Sequence, residues 1–223
     1  MPPRHEWKHE ISLSDLLELR HRLRTVAQLD CHAPNGSYRV RSLYFDTPSD
    51  TALREKINGI NQREKFRIRC YNNDHNYIRL EKKSKQNSLC FKQSAPLTPE
   101  QTTLLLKGHL DWMDRHESPL IKELYSKMTC QLLQPKTIVE YTREPYVYPA
   151  GNVRITLDYH IATGLRCINF LDSDCVMVPV PNSPIILEVK WDAFLPDLIR
   201  SAVQLEDRRT TSYSKYAACR VYG

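Results

Sequence analysis

Polar and apolar residues alternate along many segments of the chain, which is the pattern of β-strands that present two different faces. The clearest segment is 63–71. One of its faces carries Arg63, Lys65, Arg67, Arg69 and Tyr71, and the other carries Phe66, Ile68 and Cys70. Further strands are predicted at Arg4–Ile11, Tyr38–Asp46, Tyr77–Lys83, Ser88–Ala95, Lys136–Glu144, Val153–Tyr159, Cys175–Val180 and Ile185–Trp191. So many short strands predict a large curled or closed sheet.

Four amphipathic helices are predicted between these strands. The first runs from Leu13 to Gln28 behind a capping pair, Ser12 and Asp15. The second follows the cap and first-turn proline of Thr98–Pro99 and ends at Gly108. The others are predicted at Leu120–Leu133 and from Pro196 to about Asp207. Their apolar stripes are expected to pack outside the sheet.

Charged faces recur on several of the predicted strands. Shared faces hold Glu6, Lys8 and Glu10; Arg79, Glu81 and Lys83; Tyr141 and Arg143; Arg154, Thr156 and Asp158; Glu188 and Lys190. A single charged face is ordinarily a solvated one. Here the opposite faces are wholly or partly apolar, so the repetition predicts a barrel whose charged interior is filled by a multiply charged anion, water or metal.

Composition and net charge limit the classes of protein to which the chain can belong. The chain has 223 residues with a net charge of +6, and we expect one domain over residues 1–223 that binds an anionic partner. Its seven cysteines are scattered without a CxxC pair, which indicates reduced thiols in the cytoplasm. The apolar runs are shorter than the roughly 20 residues that span a bilayer. Basic residues alternate within strands, which disfavours nucleic-acid binding.

Eight motifs follow one another along nearly the whole chain. They are Arg4–Lys8, Tyr38–Pro48, Arg67–Tyr71, Leu80–Lys83, Val139–Arg143, Val153–Asp158, Leu187–Lys190 and Ser214–Tyr216. Together they resemble the VTC domain, the vacuolar transporter chaperone or polyphosphate polymerase family, which is related to CYTH domains and the triphosphate tunnel metalloenzymes. The resemblance implies an α+β fold in which eight antiparallel strands close into a tunnel and helices pack outside it.

The same resemblance implies which residues grip phosphate. Those in the catalytic set are Lys8, Arg67, Arg69, Lys83, Arg143, Arg154, Lys190 and Lys215, and those that assist substrate binding are Lys56, Lys92, Tyr141 and Ser214. Arg41 is added as a basic residue near this set in sequence. Glu188 is the implied ligand of a divalent metal, Mn²⁺ or Mg²⁺, with Glu6, Glu10 and Asp158 as further candidates.

By this resemblance the expected activity is ATP-dependent polyphosphate synthesis, with ATP and inorganic polyphosphate as partners. Hydrolysing relatives open with E-x-E-x-K, whereas this chain has Arg4-x-Glu6-x-Lys8, a difference that favours the polymerase branch. Two alternatives stay open: a tripolyphosphate or nucleoside triphosphate hydrolase, and a non-catalytic module that binds polyphosphate or inositol phosphates. A membrane partner is compatible with the sequence, and the oligomeric state does not follow from it.

Overall fold

The computed structural model describes residues 4–86, 89–206 and 209–221. Contacts within the chain divide it into two compact units. The first comprises the residues up to Arg39 together with Tyr141–Ile161 and Val180–Tyr213. The second comprises Val40–Glu140, Ala162–Pro179 and the residues from Ser214 onward.

Strands make up most of both units. Their bounds are β1 His5–Ile11, β2 Gln28–Leu29, β3 Tyr38–Asp46, β4 Arg63–Tyr71, β5 Ile78–Gln86, β6 Leu89–Leu97, β7 Gln134–Tyr148, β8 Val153–Thr163, β9 Val178–Pro179, β10 Ile185–Trp191 and β11 Arg209–Thr210. The helices are α1 Leu13–Val26, α2 Thr51–Ile57, α3 Pro99–Leu106, α4 Asp111–Asp114, α5 Pro119–Cys130, α6 Asp197–Ala202 and α7 Lys215–Arg220. Both β7 and β8 contribute residues to each unit.

The first unit orders its strands β11, β1, β10, β8 and β7, with β2 paired to β7. Lys8 lies opposite Glu188, and Leu187 lies opposite Leu157, so each sheet face collects side chains of one kind. The apolar face packs against α1 and α6 in a core that includes Leu19, Leu23, Ile155, Leu157, Leu187, Val189 and Ile199. These helices cover the core, and the charged face lies on the other side of the strands.

Helix α1 begins where the sequence predicts. Ser12 Oγ accepts a hydrogen bond from the Asp15 amide, and the Asp15 carboxylate accepts one from the Ser12 amide. This capping box satisfies two of the amides that a helix leaves without internal partners. Farther along the helix, Arg20 pairs with the buried carboxylate of Glu144 on β7, which attaches the polar edge of the helix to the sheet.

The second unit orders β3, β4, β5 and β6 next to β7, and β9 pairs with the end of β8. Its core lies between these strands and the helices α3, α4 and α5. It includes Leu43, Phe45, Phe66, Ile68, Leu80, Leu105, Ile121 and Leu124. Phe66 and Ile68 face this core while Arg67 and Arg69 face away from it, as the alternation in β4 predicts.

The predicted α+β fold class of antiparallel strands with helices packed on them is confirmed. The predicted strands at Tyr38–Asp46 and Ile185–Trp191 have the same bounds in the structure. The predicted strand Cys175–Val180 is largely wrong, because only Val178–Pro179 pairs with a neighbour. Ser88 and Asp207, which bound one predicted strand and one predicted helix, lie outside the described residues.

Candidate functional site

A charged face lies opposite the core of the first unit, on four neighbouring strands. On β1 and β10, Glu6 lies opposite Lys190 and Lys8 lies opposite Glu188. The next strand, β8, continues the face, with Arg154 opposite Lys190 and Thr156 opposite Glu188. All of these charged residues were predicted site residues, and pairing register brings them together.

Glu188 is the centre of what we call the Glu188 cluster: Glu6, Lys8, Arg143, Asp158, Glu188 and Lys190. Its carboxylate lies 3.2 Å from Lys8 Nζ and 2.9 Å from Lys190 Nζ. Glu6 lies 3.3 Å from Lys8 and 3.7 Å from Lys190. Burial lowers the pKa of Lys8, but Glu188 and Glu6 outweigh that effect and hold it above its usual value. Lys8 therefore stays charged at neutral pH.

Arg143 holds the other end of the cluster. Its Nε and Nη2 donate to Asp158 Oδ1 and Oδ2 over 2.7 and 2.8 Å, which is the two-pronged geometry of an arginine–carboxylate pair. Nη2 also lies 3.9 Å from Glu188. The guanidinium lies 5.3 Å from the ring centre of Tyr141, within the range of a cation–π contact. These neighbours therefore fix the orientation of the Arg143 guanidinium.

Other predicted residues of this unit lie at the margin of the cluster. Arg154 donates to Asp30 over 3.1 Å and to the Tyr38 hydroxyl over 3.2 Å. Glu10 is exposed, and lies on the same face by strand parity. Arg4 pairs with Asp192 at 2.9 Å, so its charge is balanced by a local carboxylate.

The second unit carries a more strongly basic face. Register places Arg67 opposite Glu81, Lys65 opposite Lys83, and Lys83 opposite Lys92. Six cations share the face around the carboxylate of Glu81: Lys65, Arg67, Arg69, Arg79, Lys83 and Lys92. Such a surplus of positive charge on a strand face repels itself and attracts anions.

We name the contacting residues of this face the Glu81 cluster: Ser42, Tyr44, Arg67, Arg69, Glu81 and Lys92. Arg67 donates from Nε and Nη2 to the same carboxylate oxygen of Glu81 over 2.8 and 2.6 Å. Lys92 Nζ lies 2.6 Å from the other oxygen, and Arg69 lies 4.0 Å from Glu81. Burial raises the pKa of Glu81, but the charges of Arg67 and Arg69 outweigh burial and hold it well below its usual value.

Tyr44 supplies an acceptor on the β3 side of the Glu81 cluster. Its hydroxyl accepts a hydrogen bond from Arg67 Nη1 over 2.9 Å, and Ser42 Oγ accepts one from Arg69 Nε over 2.9 Å. Burial raises the pKa of Tyr44, but the charges of Arg67, Lys65 and Arg69 outweigh it and lower that pKa to about 7. The Tyr44 hydroxyl is therefore more acidic than that of an ordinary tyrosine, whose pKa is about 10.

Arg41, whose facing direction the sequence left open, does not lie on the basic face. It shares a side of β3 with the core residues Leu43 and Phe45, because strand parity places alternate residues on opposite faces. It is 1% exposed, and Nη1 donates to Glu140 over 2.7 Å. Its role is that of a buried, neutralised cation on the core side.

Three further predicted residues lie on helices instead of strands. Lys56 is half-buried in the last turn of α2. Ser214 caps α7, where its hydroxyl accepts a hydrogen bond from the Ala217 amide, and Lys215 is the first residue of that helix. Their roles in binding phosphate stay predictions.

Sequence reasoning did not select Glu81, Tyr44, Lys65 or Asp30 as site residues. The alternation in β4 and β5 already placed Lys65 and Glu81 on charged faces, so period-2 parity was a usable signal for both. Tyr44 has no comparable signal in the sequence. Its contact with Arg67 depends on the register of β3 against β4.

Carboxylates of the Glu188 cluster fit a hard divalent cation. Glu188 and Glu6 present oxygen donors on one face, and Mg²⁺ and Mn²⁺ prefer oxygen ligands. Asp158 is held at both oxygens by Arg143, which makes it the less available donor. A second group, Asp30, Cys31 and His32, has ligand atoms within 4.8 Å of one another, but Asp30 also pairs with Arg154.

Both units are built on antiparallel strands whose faces gather arginine and lysine side chains. Residues 3–222 match the family model of the VTC domain, and the chain belongs to that family. No curated protein matches the sequence. Among the described residues, none of the helices is long and apolar enough to cross a membrane.

Solved structures share the fold at low sequence identity. A candidate adenylyl cyclase from Hippeastrum with a dominant triphosphatase activity is 13% identical, with a TM-score of 0.59 over 98% of this chain and 95% of that one. A candidate adenylate cyclase from Vibrio parahaemolyticus is 11% identical, with a TM-score of 0.54 over 95% of each chain. Another, from Bacillus halodurans, is 13% identical, with a TM-score of 0.52 over 84% and 80%. At this identity the likeness shows the fold alone.

Proposed function

We propose that this chain is an ATP-dependent polyphosphate polymerase, which transfers the γ-phosphate of ATP to a growing polyphosphate chain. The observation that carries the proposal is the Glu81 cluster. There, Arg67, Arg69 and Lys92 converge on one carboxylate, and register adds Lys65 and Lys83 to the same face. Cations held in this way match the closely spaced negative charges of a phosphate chain.

The proposed chemistry needs positioning more than a base. A terminal oxygen of the polyphosphate attacks the γ-phosphorus, the bond from that phosphorus to the β–γ bridging oxygen breaks, and ADP leaves with the electron pair. The attacking oxygen is already an oxyanion, so no proton has to be removed from it. Arg67 and Arg69 orient phosphate oxygens, while Lys83 and Lys92 neutralise charge that builds up in the transition state.

The proposed activity also requires a divalent cation. Glu188, with Glu6, would hold it, and Asp158 is a further candidate. When bound, the cation would neutralise negative charge on the phosphate oxygens and so favour the departure of ADP. Lys8 and Lys190, which contact Glu188, would supply positive charge beside the bound cation.

Purified protein incubated with ATP and Mn²⁺ tests the proposal directly. We expect long phosphate polymers that polyphosphate-specific staining reveals on a gel, together with ADP. Glu188→Ala is expected to abolish metal-dependent turnover. The matched control is Glu18→Gln, a change at a surface ion pair on α1. ADP and free phosphate without polymer would refute polymerisation.

A triphosphate hydrolase is the second candidate. The fold-sharing Hippeastrum protein has a triphosphatase activity, and water in place of a phosphate oxygen would convert the same site to hydrolysis. The two activities separate in one assay, because hydrolysis releases orthophosphate in proportion to ATP consumed. Tight binding of tripolyphosphate without any turnover would instead indicate a non-catalytic binding module.

A further inference from the structure

Two of the seven cysteines lie next to each other in the second unit. Cys167 Sγ and Cys175 Sγ are 2.6 Å apart. A disulfide bond is about 2.05 Å long, so the sulfurs need to approach by only about half an ångström to bond. Both side chains are partly exposed, so a small reagent reaches them.

The segment between the cysteines is already folded as a loop on the core of the second unit. Phe170 is fully buried in that core, and Ile168 and Leu171 pack against it. Amides of the loop form short-range turns, in which Cys167 N donates to Gly164 O and Cys175 N donates to Asp172 O. These turns fix the local path of the backbone at each cysteine before any bond between the sulfurs exists.

The loop also covers a buried charge. Arg41 Nη2 donates to the carbonyl of Asp172 over 2.7 Å and to that of Asn169 over 3.3 Å. Opening the loop would leave those donors of a 1% exposed guanidinium without partners, which is costly. The contact therefore favours the closed loop, and the closed loop keeps the sulfurs together.

We propose that Cys167 and Cys175 are a modification site that forms an intramolecular disulfide on reaction with a low-molecular-weight disulfide such as oxidised glutathione. The Cys167 thiolate attacks glutathione disulfide and releases one glutathione. Cys175 then attacks the mixed disulfide at Cys167 and releases the second. Two protein thiols are oxidised and one glutathione disulfide is reduced to two thiols.

The short distance between the two sulfurs favours the second step. Burial and the neighbouring Cys167 raise the pKa of Cys175 to about 11. Cys175 becomes effective as the second nucleophile, because the mixed disulfide places an electrophilic sulfur beside it. Closing this short loop restricts the unfolded chain, so the oxidised protein is expected to unfold at a higher temperature.

The test uses the full chain carrying C31S, C90S and C130S, which removes the three exposed thiols and leaves the pair intact. The protein is treated with oxidised glutathione, its remaining thiols are alkylated, and it is digested with trypsin. No lysine or arginine lies between Cys167 and Lys190, so both cysteines fall in one peptide. We expect that peptide to be two hydrogens lighter and unalkylated, and to gain two alkyl groups after reduction.

Thermal unfolding supplies the second readout. Oxidation is expected to raise the melting temperature by roughly 5–10 °C, and the rise should vanish when Cys167→Ser is added. Two alkyl groups on the oxidised peptide, or glutathione retained on either cysteine, would overturn the proposal. The peptide measurement needs no further variant, so it decides the matter even if the Cys167→Ser protein fails to fold.

Discussion

Glu81→Gln removes one negative charge from the middle of the Glu81 cluster while keeping the size of the side chain. Glu81 is 3% exposed and accepts from Arg67 over 2.8 and 2.6 Å, with Lys92 at 2.6 Å. Removing one partner of a buried ion pair costs about 3–5 kcal/mol, because the remaining charge stays desolvated. For a chain of this size, 3 kcal/mol lowers the melting temperature by about 6–12 °C.

Thermal unfolding followed by circular dichroism measures this loss, with Glu18→Gln as the control. That control breaks an exposed ion pair with Arg22 and should cost less than about 0.5 kcal/mol. Tripolyphosphate should raise the melting temperature more in Glu81→Gln than in the wild type, because the ligand replaces the missing negative charge. Equal melting temperatures for the two variants would refute the claim that Glu81 balances buried cations.

The pH dependence of stability gives a second check on the same residue. The folded pKa of Glu81 is lower than its unfolded value of about 4.3, so Glu81 stabilises the protein fully above that pH. The contribution is lost as the pH falls below it, because the unfolded chain binds the proton first. Glu81→Gln should therefore show a shallower loss of stability between neutral and acidic pH than the wild type.

Three other substitutions test other parts of the structure. Tyr44→Phe should abolish a tyrosinate absorbance change centred near pH 7. The wild type should also gain stability over this variant as the pH rises from about 7 towards 10, because the pKa of Tyr44 is lower in the folded than in the unfolded chain. Arg69→Ala should lower kcat/KM for polyphosphate synthesis at least tenfold, about 1.4 kcal/mol, and a wild-type value would show that the guanidinium does not contact substrate. Gly151→Ala should cost about 2 kcal/mol in chemical denaturation, because Gly151 has φ +72° and a Cβ would lie 2.3 Å from Phe194 O; unchanged stability would show that the turn relaxes.

Alternation made the strands and the two charged faces predictable. In β4, the parity of five polar and three apolar residues identified the face that carries Arg67 and Arg69. Parity alone left the facing direction of Arg41 open, because its neighbours on β3 are mixed in character. Only the pairing of β3 with β4 shows that Ser42 and Tyr44 contact the arginines while Arg41 lies on the core side.

Helix α2 could not be predicted from the sequence, because the side chain that caps it does not directly precede the helix. Helix α2 begins after Asp50, which has a left-handed backbone and makes no side-chain cap. Its first amides are instead satisfied by Asp46, whose carboxylate accepts from Ala52 and Leu53 over 2.8 and 3.1 Å. Motif rules look for the cap immediately before a helix, so they miss one that belongs to the preceding strand.

Asp46 also accepts a hydrogen bond from the Tyr216 hydroxyl over 2.7 Å, and the Tyr216 ring stacks on Tyr44 at 4.9 Å. A chain shortened before Ser214 would lose this donor and this ring, although it would keep every basic strand residue. Its buried Asp46 carboxylate would keep the amide donors of α2 but lose the hydroxyl donor. A shortened chain that keeps this contact must therefore extend through Tyr216, which lies on helix α7 and not on a strand.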